Sequence, residues 1–173
     1  MKKLFFIFAL LLLPVSLFAQ LKVGIMDPQE VLEAMPETTG VQAELDSFVQ
    51  QKQNEFQGRY SQWIEQVTVY TERAEAGELT EQQQQQEEER LAQLEQELEG
   101  LQQRIQNQIQ QKQNELLNPL LIKIEDTMED VAAELNLDYV INKTASTGDP
   151  IVYYSSSRGI DITNNVIQKL TNN

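Results

Sequence analysis

Leucine and isoleucine recur in the middle of this chain with a spacing that constrains the fold more than any other feature. Leu91, Leu94, Leu98, Leu101 and Ile105 follow one another at alternating steps of three and four residues. This a/d heptad spacing places a narrow apolar stripe on a helix, and the stripe needs a partner helix to cover it. Beyond Ile105 the spacing approaches the natural helical period, so we expect the supercoil to relax there.

A partner helix is predicted immediately upstream. Its seam is looser and more aromatic, and consists of Val41, Leu45, Phe48, Phe56, Trp63, Val67, Tyr70 and Ala74. Between the seams, Gly77 can adopt the left-handed conformation that ends a helix, and Thr80 with Gln83 can form a capping box that begins the next one. We predict arms over residues 38–76 and 80–135, roughly 60 and 80 Å long. Because a short turn near 76–80 joins them, they should fold back as an antiparallel hairpin.

Pro119 is the main interruption of the second arm. Proline donates no backbone hydrogen bond and clashes with the carbonyl four residues earlier, which belongs to Glu115. We expect a kink or break near 119, which would separate the arm from a helix over 120–135. Gly58 should weaken the helix of the first arm to a smaller extent, because glycine is unfavourable inside a helix.

Two segments flanking the hairpin, residues 20–37 and 136–173, have a globular composition and are predicted to form one discontinuous α/β base. Residues 22–26 form a short strand, and Asp27 caps a helix over 28–34 that has Pro28 in its first turn. Residues 137–142 and 151–154 are apolar and β-branched, and the polar loop between them predicts a β-hairpin. Asp161 or Thr163 begins a final amphipathic helix. The predicted fold class is α+β, mostly α, with a small β-sheet base for oligomerisation and a long antiparallel coiled-coil hairpin.

Residues 1–19 are typical of a cleaved signal peptide. Lys2 and Lys3 precede an unbroken apolar run over residues 4–13, and Ala19 is suited to the position before a cleavage site. A retained membrane anchor is the alternative, but the run is shorter than the roughly 20 apolar residues of a spanning helix, and Pro14 interrupts it. We therefore expect export to the periplasm.

Charge and composition exclude several classes of function. The net charge is −14, and removal of the two lysines with the signal peptide leaves −16. Nucleic acid and anionic membranes would repel such a chain. There is no histidine and no cysteine, which removes the commonest general base and all thiol chemistry. We expect neither an enzyme nor a cofactor, and Asp126, Glu129 and Asp130 are interpreted as a solvated helix face rather than a metal site.

The chain has too little core for a monomer, so we expect an assembly. The base holds only two short segments, a size at which single cores are marginal. The oligomer core candidates are Ile25, Val140, Ile141, Ile151 and Val152. A second set of residues does not fit one narrow seam, and these client-contact candidates are Phe56, Tyr60, Trp63 and Tyr70. Packing within the hairpin is the alternative role for these four aromatic residues.

The order of motifs resembles that of the Skp/OmpH family of periplasmic chaperones. The opening resemblance lies in the block VGIMD at 23–27, a short helix ending near Met35, and the TGV triplet at 39–41. The closing resemblance lies in LDYVIN at 137–142, IVYY at 151–154 and GIDIT at 159–163. The resemblance implies a homotrimer whose three helical arms enclose a cavity. It also implies that the cavity holds unfolded outer-membrane β-barrel proteins without nucleotide or metal.

One departure from that family concerns charge. Its familiar members have basic arms, whereas residues 72–99 contain ten glutamates against Arg73 and Arg90, a net charge of −8. Lys112 is the only basic residue between Ile105 and Pro119. We therefore do not extend the binding of lipopolysaccharide or anionic membranes from that family to this chain. Our hypothesis is that clients are either more basic or are captured mainly by apolar and amide contacts.

The leading functional hypothesis is an ATP-independent holdase. The alternatives are a structural coiled-coil scaffold of the envelope and an assembly adaptor that binds one folded partner. A scaffold favours a continuous, tightly packed seam, whereas Gly58, Pro119 and the extra aromatic residues suit flexible arms better.

Overall fold

A computed structural model describes residues 21–145, 147–156 and 158–172. The predicted signal peptide lies outside these described residues. The described chain is mostly helical and has one small three-stranded sheet, as predicted. It divides into two compact units. The hairpin unit is Pro36–Ile122, and the base unit comprises the described residues up to Met35 together with those from Lys123 onward.

Two long helices form the hairpin unit. Helix α2 is Pro36–Glu75, and helix α3 is Glu81–Leu135, whose last residues belong to the base unit. Gly77 has a φ of 69°, so it is the left-handed residue predicted for the turn. Thr80 and Gln83 form the predicted capping box: the Gln83 N–H donates to Thr80 Oγ1 over 3.3 Å, and the Thr80 N–H donates to Gln83 Oε1 over 2.9 Å.

Contacts between α2 and α3 establish that the helices are antiparallel. Near the turn, the Tyr70 hydroxyl donates to Glu88 Oε1 over 2.7 Å. Further along, Trp63 Nε1 donates to the Leu91 carbonyl over 3.4 Å, and Lys112 Nζ lies 2.7 Å from Glu44 Oε1. The sequence separation between contacting residues of α2 and α3 therefore increases with distance from the turn. Leu91 and Ile105 of the predicted seam are buried, and α2 contains no buried residue.

Gly58 and Pro119 were both predicted to weaken their helices, but neither residue interrupts its helix. Helix α2 continues through Gly58, and α3 continues through Pro119. The prediction of a break at Pro119 is therefore wrong, while a kink there stays a prediction. Burial of Leu120 and Ile124 immediately after the proline stabilises the helical conformation against the loss of one backbone hydrogen bond.

The sheet of the base unit contains three parallel strands. Strands β1 (Val23–Met26), β2 (Tyr139–Asn142) and β3 (Ile160–Asp161) are arranged with β1 in the centre. Two short helices complete the unit: α1 is Pro28–Ala34 and α4 is Thr163–Thr171. Asp27 caps α1 as predicted, because its carboxylate accepts from the N–H groups of Gln29 and Glu30.

The predicted β-hairpin over 137–142 and 151–154 is wrong in its second half. Residues 151–154 form no strand. Among the described residues, the only isolated antiparallel bridge joins Thr144 to Pro150, in the loop between the two segments. The partners of β1 are instead β2 on one edge and β3 on the other. The apolar pattern of 151–154 therefore marks an uncovered surface rather than a paired strand, since Tyr153 and Tyr154 are almost fully exposed.

The core of the base unit lies on one side of the sheet. Along β1 the buried residues are Gly24 and Met26, which alternate with half-buried Val23 and Ile25. Buried apolar side chains also come from α1, the end of α3 and α4, namely Val31, Ile124, Val131, Val166 and Leu170, and from Met35 and Ile162 at helix caps. Lys169 ties α4 to α3 through ion pairs with Asp130 and Glu134, and those acceptors raise its pKa. No described helix is long and apolar enough to cross a membrane.

Candidate binding surfaces

Three of the four aromatic candidates form a continuous row along α2. The rings of Phe56 and Tyr60 stack with centroids 6.3 Å apart, and the Tyr60 and Trp63 centroids are 5.8 Å apart. Their i, i+4 and i+7 spacing places them on one face of the helix. Trp63 and Phe56 are half-buried, whereas Tyr60 is 46% exposed. This aromatic row therefore serves partly as packing and partly as accessible apolar surface.

Tyr70 does not belong to the aromatic row. It lies two turns beyond Trp63, and its hydroxyl donates to Glu88 of α3. This hydrogen bond, together with some desolvation and the charges of Glu88 and Glu87, raises the pKa of Tyr70. Tyr70 and Trp63 thus both donate a hydrogen bond across the hairpin, but only Tyr70 does so to a carboxylate.

The two flanks of the hairpin differ in chemistry. On one flank an open groove of 550 Å³ is bordered by side chains rich in amides, namely Lys52, Gln53, Phe56, Gln57, Tyr60, Gln102, Ile105 and Gln106. We call it the amide groove. On the other flank a groove of 350 Å³ is bordered by Glu55, Arg59, Gln62, Trp63, Gln66, Leu94, Glu97, Leu98, Leu101, Arg104 and Gln108. We call it the arginine groove. The aromatic row crosses from the first groove to the second.

An uncovered face of the sheet is the second candidate surface. Tyr139 pairs in register with Val23, and Ile141 with Ile25, so all four side chains lie on the face opposite the core. We call this set the outer sheet face. Ile25 and Ile141 border an open groove of 400 Å³ together with Leu21, Val23, Val152 and Tyr154. Parallel sheets are normally covered on both faces, so this apolar surface is typical of an interaction site.

The predicted oligomer core residues separate into two groups. Ile25, Ile141 and Val152 meet at the groove on the outer sheet face. Val140 lies on the opposite face, in register with buried Gly24, so the structure places it with the core of its own unit. Ile151 is half exposed in the loop and does not border the groove.

Sequence analysis missed several members of both surfaces. Val23 and Tyr139 belong to the outer sheet face, and the alternation of apolar residues along β1 could have identified Val23. Arg59 and Arg104 border the arginine groove, but their proximity depends on the register between α2 and α3. Within the described residues, no three acidic side chains converge to form a metal site.

A long helical hairpin and a small parallel sheet, whose candidate sites among the described residues are open grooves, define a class of protein that presents binding surfaces. The family model of the OmpH-like outer membrane proteins matches residues 22–170 of the chain. This chain therefore belongs to the OmpH-like (Skp/OmpH) family.

A solved structure shares the fold. It is an OmpH-like protein from Caulobacter crescentus CB15, proposed to be an outer membrane chaperone, and it is 14% identical to this chain. The match covers 88% of this chain and 85% of that one, with a TM-score of 0.69. No curated protein matches this chain significantly.

Proposed function

We propose that this chain is an ATP-independent periplasmic holdase that binds unfolded outer-membrane β-barrel proteins between the helical arms of a homotrimer. The observation that carries the proposal is the aromatic row, whose rings lie partly exposed beside one another on a long two-helix arm. A holdase needs scattered apolar contacts on an extended surface, because many different sequences must each bind weakly at several points. Such binding lowers the concentration of free client and so opposes its aggregation by mass action, without catalysis or a cofactor.

The client test is suppression of aggregation. A urea-unfolded β-barrel outer-membrane protein is diluted into buffer containing the mature chain, without nucleotide, and light scattering is followed against chaperone concentration. We expect suppression to reach a plateau near three chains per client. Unchanged scattering at severalfold excess of folded protein would refute the holdase proposal.

A matched pair of variants connects suppression to the aromatic row. Tyr60→Ala, combined with Phe56→Ala, should require several times more protein for the same suppression, because it removes two adjacent aromatic contacts. Leu121→Ala is the control, because Leu121 is 45% exposed in the same unit, close to the 46% of Tyr60. Equal loss in both variants would mean that the row has no special part in client binding.

The trimer is proposed to form through the outer sheet face. The described residues cover its apolar side chains only in part, since Tyr139 and Ile141 are exposed, and a second copy would remove them from water. Ile141→Glu should convert the assembly to monomers in analytical ultracentrifugation, because a buried unpaired carboxylate is costly. Ile122→Glu is the control, since Ile122 is also exposed but belongs to the hairpin unit. A wild-type protein that sediments as a monomer would overturn this part of the proposal.

A structural coiled-coil spacer of the envelope is the second candidate. Helices α2 and α3 run without interruption through Gly58 and Pro119, and this continuity suits a rod. A rod, however, does not require the exposed ring of Tyr60. If the folded protein fails to suppress aggregation, the spacer is the better account.

A further inference from the structure

The four arginines of the hairpin unit all lie on one flank. Arg59 and Arg104 border the arginine groove, and Arg73 and Arg90 border a smaller groove of 180 Å³ that shares Gln66 with it. Six of the bordering residues of α2 step by four and three, which keeps them on one stripe of the helix: Glu55, Arg59, Gln62, Gln66, Val69 and Arg73. The amide groove has no arginine on its border and Lys52 as its only basic residue.

Two of these arginines have no acidic partner in the part of the chain that the structure describes. Arg90 pairs with Glu87 at 2.8 Å, and Arg73 approaches Glu78 at 3.9 Å. Arg59 and Arg104 are exposed and form no ion pair with any residue that the structure describes. This is unexpected, because acidic residues outnumber basic ones in the hairpin unit. The two guanidinium groups therefore keep their charge and their hydrogen-bond donors available for an external ligand.

The helix backbone leaves space for one of these guanidinium groups. Gly100 lies one turn before Arg104 on α3, and a Cβ atom added to Gly100 would lie 3.2 Å from Arg104 Nη1. Glycine in the middle of a helix is less favourable than alanine. Here it allows the Arg104 side chain to lie against its own helix beside the groove.

Apolar side chains also border the groove, among glutamine and glutamate side chains. Trp63 contributes its ring from α2, and Leu94, Leu98 and Leu101 contribute side chains from α3. All four are half-buried, so each still presents some surface to solvent. An apolar floor with a cation on each helix suits a ligand that has both apolar and negatively charged side chains.

We infer that the arginine groove binds an extended peptide segment in which carboxylate side chains alternate with apolar or aromatic ones. The inference rests on the proposed holdase function, since it names a class of client segment. Guanidinium groups bind carboxylates through paired, charge-assisted hydrogen bonds, and strands of membrane β-barrels alternate apolar with polar residues. Arg59 and Arg73 are separated by about 20 Å along α2, which an extended segment of about six residues spans. Glu55 and Glu97 also border the groove, so Arg59 and Arg104 act as local carboxylate-binding groups rather than through a net positive charge.

Trp63 makes the inference directly testable, because it is the only tryptophan of the chain. The probe is a short capped peptide in which Glu alternates with Phe and Val, titrated into the full mature protein at low salt while the fluorescence of Trp63 is recorded. We expect saturable binding, with the dissociation constant increasing as salt is added. The same peptide with Gln in place of Glu should bind at least roughly tenfold more weakly. Equal affinity for the two peptides would overturn the inference.

Substitutions of charged side chains identify the groups that bind the Glu peptide. Arg59→Gln with Arg104→Gln should weaken binding of the Glu peptide by roughly tenfold or more, because both cations are lost. Lys52→Gln removes one positive charge two turns before Arg59, on the border of the other groove, and should change the affinity less than roughly twofold. Glu55→Gln with Glu97→Gln should tighten binding by roughly threefold, since two repelling carboxylates are removed.

Two outcomes separate this inference from the proposed function. If the Glu peptide binds at Trp63 as described but no client aggregation is suppressed, the arginine groove stands and the holdase proposal fails. If client aggregation is suppressed but the arginine variants bind the Glu peptide as the wild type does, the holdase stands and the inference is wrong. Circular dichroism of each variant confirms that the hairpin is folded.

Discussion

At the scale of single residues, Thr163 connects the two ends of the base unit. Its side chain is buried, and Thr163 Oγ1 accepts a hydrogen bond of 3.1 Å from the Asp27 N–H at the end of β1. The same hydroxyl donates to Asp161 Oδ1 over 2.7 Å, and the Thr163 N–H donates to that oxygen over 3.0 Å. One hydroxyl thus satisfies a backbone donor separated from it by 136 residues of sequence.

We predict that Thr163→Val destabilises the base unit by about 1–3 kcal/mol, although valine has nearly the same shape. The reason is that the Asp27 N–H would lose its partner in a partly buried environment. Urea unfolding followed by circular dichroism measures the change. Thr171→Val is the control, because the Thr171 hydroxyl is exposed and bonds only to carbonyls of its own helix. Equal effects of the two substitutions would contradict the role of Thr163.

The lowered pKa of Asp161 predicts how the stability of the base unit depends on pH. Desolvation acts to raise this pKa, but hydrogen bonds from Thr163 and the nearby Lys143 outweigh it and lower the pKa. A lowered pKa means that the stabilising effect is fully present above the unfolded-state pKa of about 3.9 and is lost as the pH falls through the lower folded-state value. Asp161→Asn should therefore be less stable than the wild type at neutral pH, with the difference shrinking in that acidic interval. A difference that is constant with pH would contradict this account.

At the scale of elements, glycine suits the backbone of the turn at Gly77 but is unfavourable within the helix at Gly58. Gly77 has a positive φ, which most residues adopt only at a cost, whereas Gly58 is exposed in the middle of α2. Neither position has an atom within 4 Å of an added Cβ. Any effect of a methyl group at these positions must therefore come from backbone conformation.

We predict opposite signs for the two alanine substitutions. Gly77→Ala should destabilise the hairpin by about 1 kcal/mol, because alanine is strained at positive φ. Gly58→Ala should stabilise it by up to about 1 kcal/mol, because alanine favours the helix. Thermal unfolding of both variants at one protein concentration measures the changes, and each variant serves as the control for the other. The same sign in both would mean that the turn does not have the left-handed geometry described here.

At the scale of the whole molecule, negative charge dominates. The chain has a net charge of −14 and a pI of about 4.3, because 27 acidic residues stand against 13 basic ones. Like charges on one compact chain repel one another and destabilise the folded state. Exposed ion pairs such as Arg73 with Glu78 contribute little in comparison.

We predict that adding sodium chloride to a low-salt solution, up to about 0.15 M, raises the midpoint of thermal unfolding. At that ionic strength charges separated by more than about 8 Å are largely screened, so repulsion among the glutamates is reduced. Circular dichroism in the helical band follows the transition. A falling midpoint would mean that the attractive ion pairs outweigh the repulsion.

The helices and their caps follow from the sequence because their causes are local. The heptad spacing of Leu91 to Ile105 predicts the seam, and Gly77, Thr80 and Gln83 predict the turn, since each acts on neighbours within a few residues. The i, i+4, i+7 spacing of Phe56, Tyr60 and Trp63 likewise places their rings in one row.

Contacts between distant segments were decided only by the tertiary structure. Residues 151–154 have the composition of a strand, but both edges of β1 are occupied by β2 and β3. Arg59 and Arg104 border one groove only because the register of α2 against α3 brings them there. Local propensity and periodicity therefore determine which segments are helices and where they turn. Strand pairing and the composition of a shared surface depend on long-range contacts, which no short stretch of sequence encodes.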